Sequence, residues 1–516
     1  MHQSRSHLCI LLLLISLSLE ASSYICNSYK NNYQIFHSKL NKVNNVNIHD
    51  KYQYQKPMNF ELMQLHDSQF SFESNPSANT NVKVEKKSSL TSSTINLMKN
   101  TAGAGVFSLS GKLLSIKSEP ISSLVPRANV LILLLATWAV YNFYTIIETC
   151  RLLSANSYDD CWGKSISMKT KWIIQGVVSF APFIGIIANT IVLTDIFTSV
   201  LQSIGGYFAM IANARNYVTI LLCTLIIYPL CSLKDLSTMK STSLFGLIGN
   251  VVSMIALGIR AYDKSYLLGG LYAASISTTT TSTPPTSAVT AAIQLTSIAK
   301  DSVVFQWAVF ASLLSYCYVT HYNAPRYYIE IDDNSSKSIL TMTSLAYLGA
   351  AIIYIGSMTL GISAFGPNVK SYLLNNFASN DPLGIISRIA IGTSILTNTP
   401  LMFIALRNRL VDMARTKIPM IADIKRMAAL LVLIVGLITT RLTDISVLAS
   451  IAGGILGVNM MFTLPTIMYL STLQKKAKQN DTKLSPLTII IHVLMIVAGL
   501  SLSAIGTSYS IANLFR

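Results

Sequence analysis

Apolar residues in this chain fall in long runs broken by short polar stretches, without the one-sided polar face that a soluble helix carries. A run of about 18 or more such residues, wound as a helix, crosses the roughly 30 Å hydrocarbon core of a bilayer. Eleven segments of this kind are predicted, near residues 94 to 115, 128 to 148, 172 to 201, 216 to 233, 242 to 260, 302 to 322, 340 to 363, 384 to 406, 427 to 441, 445 to 470 and 487 to 513. The fold class is therefore an all-α polytopic membrane protein. Pro182 predicts a kink in the third segment, and Arg441 with Asp444 divides the ninth from the tenth. The first segment departs from the pattern because Gly103-Ala104-Gly105 interrupts it. A glycine costs about 1 kcal/mol relative to alanine in a helix interior. Lipid cannot satisfy the backbone groups that a broken helix frees, so the break is expected beside a protein cavity.

Composition agrees. Hydrophobic residues make up 51% of the 516, charged residues 12%, and the mean hydropathy is +0.48, whereas soluble domains carry about a quarter charged residues. The net charge of +17 raises nucleic acid as a partner. The lysines and arginines, however, are dispersed at segment ends with no basic stripe interleaved with aromatics, which points to the lipid bilayer and away from nucleic acid. With a cytosolic start, the loops assigned inside carry eighteen lysines and arginines, from Arg151 to Lys483, against eleven outside. That bias places the C-terminus outside. The sequons at Asn334 and Asn480 then lie inside and are expected to carry no sugar.

Residues 1–23 read as a signal-like leader, with Arg5 ahead of an apolar run from Leu8 to Leu19 and then Ala21-Ser22-Ser23. Residues 24–93, rich in Asn, Ser, Tyr and Lys, are expected to be a disordered polar tail. A cleaved secretory signal would leave that tail lumenal, against the charge bias. A bipartite leader to a plastid envelope or a retained anchor would resolve the conflict, and the plasma membrane and endomembranes stay open beside the plastid envelope. The Thr/Ser/Pro stretch Ser275 to Ser287 suits an exposed linker. The seven cysteines show no metal or redox spacing and read as isolated small hydrophobes. No nucleophile-base pair, phosphate loop or metal cluster stands out, so no enzyme activity and no cofactor is expected.

Five strings then occur together, in order. Asn96-Leu97-Met98-Lys99 leading to Gly103-Ala104-Gly105-Val106 is the first, and Tyr228-Pro229-Leu230 with Leu233-Lys234-Asp235-Leu236 the second. They are followed by Thr320-His321-Tyr322-Asn323 with Glu330, then Asp381-Pro382 with Arg388, Pro400 and Arg407, and last Gly453-Gly454 with Leu464-Pro465 and Tyr469. Together they resemble the signature of the amino acid/auxin permease (AAAP) family, and residues 94–513 resemble its amino acid transporter transmembrane domain. Ser110 and Thr320 stand where that family usually has proline and cysteine.

The resemblance implies an inverted 5+5 repeat of the APC/LeuT type plus one extra C-terminal helix, with substrate held at the midplane between broken first and sixth spans. It implies a secondary active carrier of small neutral amino acids, and a Lys99 amine in the place of a coupling ion favours protons over sodium. The alternative is a transporter-shaped amino acid sensor with little transport. Main-chain N–H groups at Gly103, Ala104, Gly105 and Val106 are candidates for the substrate carboxylate. Tyr318, Thr320, His321 and Asn323, with freed carbonyls between Tyr318 and His321, are candidates for its amino group. Lys99, Asn100, Thr393, Ser394 and Thr397 are candidates for ion or proton coupling, with snorkelling the bland alternative for Lys99. His321 titrates near neutral pH when unperturbed, and a hydrogen bond at a helix terminus is its structural alternative. Glu148, Asp195 and Asp444, near span ends, read as interface residues.

Overall fold

The computed structural model describes residues 87–116, 119–232, 243–273, 303–417 and 423–514. The predicted leader, nearly all of the polar tail and the Ser275 to Ser287 linker lie outside these residues. Helix dominates the rest, and the described residues contain no β-strand, only an isolated bridge between Ser88 and Ile331.

The chain runs as α1 (Leu90–Thr101), a 3-10 turn (Ala104–Ser108), α2 (Leu109–Leu114), α3 (Ile121–Leu153), α4 (Tyr158–Ser165) and α5 (Lys171–Ile204). It continues through α6 (Gly206–Ala212), α7 (Arg215–Cys231), α8 (Ser243–Asp263), α9 (Val303–Tyr318), a second 3-10 turn (His321–Asn323) and α10 (Ala324–Glu330). The last elements are α11 (Ser336–Phe365), α12 (Pro382–Lys417), α13 (Ile424–Arg441), α14 (Ile445–Gln479) and α15 (Pro486–Leu514). Local chemistry sets the boundaries. The Ser89, Ser335 and Asp423 side chains accept from backbone N–H groups at the starts of α1, α11 and α13, satisfying donors that a helix start leaves open. α3 ends at Ser154 in the left-handed region (φ 48°).

Every predicted segment contains helix. Among the described residues, seven helices are long and apolar enough to cross a membrane, eight if α6 and α7, bent by 96°, form one span. The segments at 94 to 115, 242 to 260 and 427 to 441 are helical but fall outside that set. The first is broken into short pieces, and the last, α13, carries Lys425, Arg426 and Arg441. α5 runs through Pro182 as one helix.

Two kinds of glycine contact hold the helices together. A side chain at Gly453 or Gly457 would strike the backbone of α9 at Ser312 or Tyr316, and one at Gly249 would lie 2.9 Å from Ala390 O of α12. Elsewhere long flexible side chains lie over glycines: Met98 over Gly349, Met254 over Gly356, Met402 over Gly185. Small residues thus permit close helix approach. At the end assigned to the outside, the α11–α12 connection is pinned down. Arg260 of α8 grips Asp381 through two bonds of 2.6 and 3.0 Å, Tyr266 donates to the same carboxylate at 2.7 Å, and Arg388 donates to the carbonyls of Leu374, Phe377 and Ala378.

The cysteines are not all isolated. The buried thiols of Cys150, in the last turn of α3, and Cys161 of α4 lie 2.8 Å apart, brought together by the tight reversal at Ser154. Of the acidic residues placed at interfaces, Glu148 pairs with Arg151 at 2.9 Å and Asp195 with Arg215 at 2.9 Å, while Asp444 caps α14.

Candidate substrate cavity

α1 closes where Ala102 N–H donates to Met98 O at 2.7 Å, and Gly103 then turns extended (φ −76°, ψ −175°). Other donors hold the break open. Thr101 O accepts from Gly103 N–H at 2.9 Å and from the Tyr354 hydroxyl at 2.7 Å, and Ala102 O accepts from Asn250 Nδ2 at 2.6 Å. These two carbonyls are the acceptors that a continuing 3-10 ladder would offer to Ala104 and Gly105. Neither of these carbonyls takes a bond from the N–H groups of Ala104 and Gly105, which stand at the start of the 3-10 turn where a helix leaves its first donors open. Val106 N–H is spent on Gly103 O at 3.2 Å.

α9 breaks in the same region. Val319 N–H folds back on Tyr316 O at 3.2 Å, and Asn323 N–H on Thr320 O at 3.0 Å. The Tyr354 hydroxyl lies 2.8 Å from Cys317 O as well, so one phenol ties the two breaks together. Tyr318 O accepts from the Tyr347 hydroxyl at 3.4 Å. Of the carbonyls at this bend, that of Val319 is engaged by no hydrogen bond among the described residues.

Between the breaks lies a cavity of about 140 Å³. Lys99, Asn100, Gly103, Gly105 and Val106 line it from the first segment, Tyr316, Cys317, Val319 and Tyr322 from the α9 side, and Ser394, Asn398 and Met402 from α12. α5 contributes Ala181, Gly185, Ala188 and Asn189, and α8 contributes Gly246 and Asn250. Among the described residues that line it, Lys99 is the one Asp, Glu, His, Lys or Arg.

Lys99 does not snorkel. It is 6% exposed, its stem lies over Gly246, and its Nζ donates to Asn398 Oδ1 of α12 at 3.0 Å. Asn100 Nδ2 donates to the Tyr327 hydroxyl at 2.8 Å, linking α1 to α10. Ser394 reaches the cavity; Thr393 sits on an exposed face and Thr397 bonds back to Ser394 O at 2.9 Å. Helical geometry explains the split, since residues four apart share a face and a neighbour is turned by about 100°. The partner of Ser394 on the inward face is therefore Asn398.

Tyr318, Thr320, His321 and Asn323 do not line the cavity. The Tyr318 hydroxyl donates to Ile132 O at 3.2 Å, and the Thr320 hydroxyl pairs with that of Tyr347 at 2.9 Å. His321 is fully buried, with Nε2 3.1 Å from Ala139 O and its ring against Phe143 and Tyr347. The bend after α9 turns Tyr318 and His321 toward α3 and Thr320 toward α11. Of the four carbonyls foreseen there, that of Val319 belongs to a residue lining the cavity and takes no hydrogen bond among the described residues. Sequence reasoning missed Asn189, Asn250 and Asn398, although each is an amide inside an apolar span, which is itself a signal.

Known proteins agree with the family resemblance read from the sequence. The profile of the family described as transmembrane amino acid transporter protein matches residues 86–512. Amino acid transporter AVT6E of Arabidopsis thaliana is 21% identical over 436 residues, 81% of this chain and 82% of the relative. Sodium-coupled neutral amino acid symporter 2 of Danio rerio is 22% identical over 291 residues, 55% of this chain and 57% of the relative. The solved structure "Inward facing conformation of Mhp1" superposes with a TM-score of 0.50 at 10% identity, covering 85% of this chain and 95% of that one. That likeness extends to the fold alone.

Proposed function

This chain belongs to the transmembrane amino acid transporter protein family, an integral membrane transporter and not an enzyme, and we propose that it carries small neutral amino acids by alternating access, coupled to protons. The observation that carries the proposal is the break after Ala102, where Gly103, Gly105 and Val106 line a cavity whose charged lining residue, among the described ones, is Lys99. Two amides at the start of a helical turn suit a carboxylate. The Val319 carbonyl, across the cavity from α1, supplies an acceptor for the α-ammonium. A cationic side chain on the substrate would meet Lys99 in a site without a carboxylate, which argues for a neutral one.

Lys99 also favours protons over sodium. Its ammonium already bridges α1 to α12 through Asn398. A sodium ion about 4 Å away would be repelled by about 4 kcal/mol at the effective dielectric of a protein site. A proton leaving and rejoining the amine adds no second cation. In this mechanism the Lys99–Asn398 bond clasps α1 against α12 when the amine is charged and loosens when it is neutral, which ties protonation to the rocking of one helix group against the other.

The test is uptake of labelled L-alanine into proteoliposomes under an inward proton gradient and, separately, an inward sodium gradient. Accumulation driven by protons is expected. Accumulation under sodium alone would reassign the coupling, and none under either gradient would refute the carrier and favour the sensor.

A further inference from the structure

Cys150 and Cys161 stand apart from the central cavity, at the end of the bundle that the charge bias assigns to the inside. Both thiols are buried, and their sulfurs lie 2.8 Å apart although the residues are 11 positions apart in the chain. The path between them is a tight reversal. Ser154 adopts the left-handed region at φ 48°, Ala155 N–H donates to Cys150 O at 3.0 Å, and Lys164 Nζ, one turn past Cys161, donates to Ser154 O at 2.8 Å. A disulfide brings its sulfurs to about 2.0 Å, so the two side chains stand within about 1 Å of that bond.

The corner they occupy matters to a carrier. α3 packs against α11, as does α1 with its break, whereas α5 packs against α12. α4 joins these two groups. It meets α3 through the thiols and is braced on the start of α5: Trp162 Nε1 donates to Thr170 Oγ1 at 2.9 Å, while Asp159 accepts from Gln175 Nε2 at 3.2 Å and pairs with Lys171 at 3.4 Å. When the groups rock against each other, the α3–α4 corner is a hinge, and thiols that touch without a covalent bond leave it free to open.

We propose that Cys150 and Cys161 form a peroxide-sensing dithiol, whose closure to a disulfide locks the α3–α4 corner and slows transport and whose reduction releases it. The control of transport rests on the carrier function above; the dithiol itself does not. The chemistry balances with hydrogen peroxide as the oxidant. One thiol sulfur attacks a peroxide oxygen, the O–O bond breaks, and a sulfenic acid and one water form. The second thiol attacks that sulfur, its proton leaves with the hydroxyl as a second water, and the S–S bond closes. Two electrons pass from the thiols to the peroxide. Burial slows the first attack and turns away bulky disulfide oxidants, which leaves a small neutral peroxide as the oxidant that fits. The neighbouring thiol then captures the sulfenic acid before further oxidation.

The full chain in proteoliposomes, reduced and then treated with hydrogen peroxide, tests both halves. Peptide mapping without reductant should show a bond between Cys150 and Cys161. The maximal rate of L-alanine uptake should fall about tenfold, and dithiothreitol should restore it. Reversal separates this effect from methionine oxidation, which is undone by dedicated sulfoxide reductases. Cys161→Ala and, independently, Cys150→Ala should transport as the reduced wild type does and ignore peroxide. A map without the bond after peroxide overturns the dithiol. A bonded chain whose rate stays within about twofold of the reduced one, or a loss of rate that either alanine variant shares, overturns its control of transport. Absence of uptake by the reduced wild type removes the carrier and its control together, while the map still decides the dithiol.

Discussion

Gly103→Ala sets stability and transport against each other. Gly103 adopts φ −76° and ψ −175°, a region open to any L-residue, and an added Cβ meets no heavy atom within 4 Å. Folding loses nothing, and the alanine restricts the unfolded chain, so stability should rise by about 0.4–1 kcal/mol. The residue lines the central cavity, however, so the methyl group occupies space beside the amides of Ala104 and Gly105. One methylene too many in a ligand pocket costs about 1–3 kcal/mol, or 10–200-fold in affinity. Purified variant and wild type should be compared by thermal unfolding and by the KM of L-alanine uptake in proteoliposomes. Gly453→Ala is the control of opposite sign, because its Cβ would run into Ser312 O and cost about 1–3 kcal/mol of stability. A Gly103→Ala protein whose KM stays within about twofold of wild type would remove the α1 break from the binding site, whatever its melting temperature.

Gly105→Leu is more drastic, since even the Cβ would lie 3.4 Å from Cys317 Sγ; uptake should be abolished, and normal uptake would refute the site. Lys99→Met replaces a buried cation with an apolar chain of similar length. Melting temperature should hold or rise while uptake loses its response to a proton gradient, and an unchanged response would leave Lys99 a packing residue. At the outer end, burial opposes the Asp381 carboxylate, but the bonds from Arg260 and Tyr266 and the Arg260 charge outweigh it and hold its pKa below the ordinary carboxylate value. A pKa depressed on folding contributes stability above the unfolded value of about 3.9 and loses it as pH falls through the folded one. Asp381→Asn should therefore cost about 2 kcal/mol at pH 7, and the gap between variant and wild type should close below about pH 4 in thermal unfolding series.

The helices were legible because hydrocarbon imposes length and apolarity directly on sequence. The break at Gly103 was legible for the same reason, a residue that lipid penalises. Side-chain direction after a break was not. Thr320 and His321 sit at the bend after α9, which turns them onto α11 and α3, and no periodicity survives such a bend to reveal it. On α12 the information was present but divided wrongly: Ser394 and Asn398 share a face at helical spacing, whereas Thr393 and Thr397, grouped with Ser394 by chemistry, point elsewhere. The meeting of Cys150 and Cys161 depended on the reversal at Ser154, which local composition does not announce. Asp195, Tyr372 and Asp444 line one cavity although they come from three distant stretches, and their convergence is a property of the folded chain alone.

The glycine seams divide the bundle into stiff and yielding joints. Where Gly453 and Gly457 bring α14 onto the α9 main chain, and Gly249 brings α8 onto α12, peptide planes abut with no rotamer to relax, so each pair must travel as a single strut. Where Met98, Met254 and Met402 drape over glycines, three rotatable bonds and a polarizable sulfur give each seam a bearing that re-seats after a slide of an ångström or two. Exchanging those methionines for β-branched residues of similar bulk would leave the resting shape intact and slow turnover, like a hinge whose grease has set.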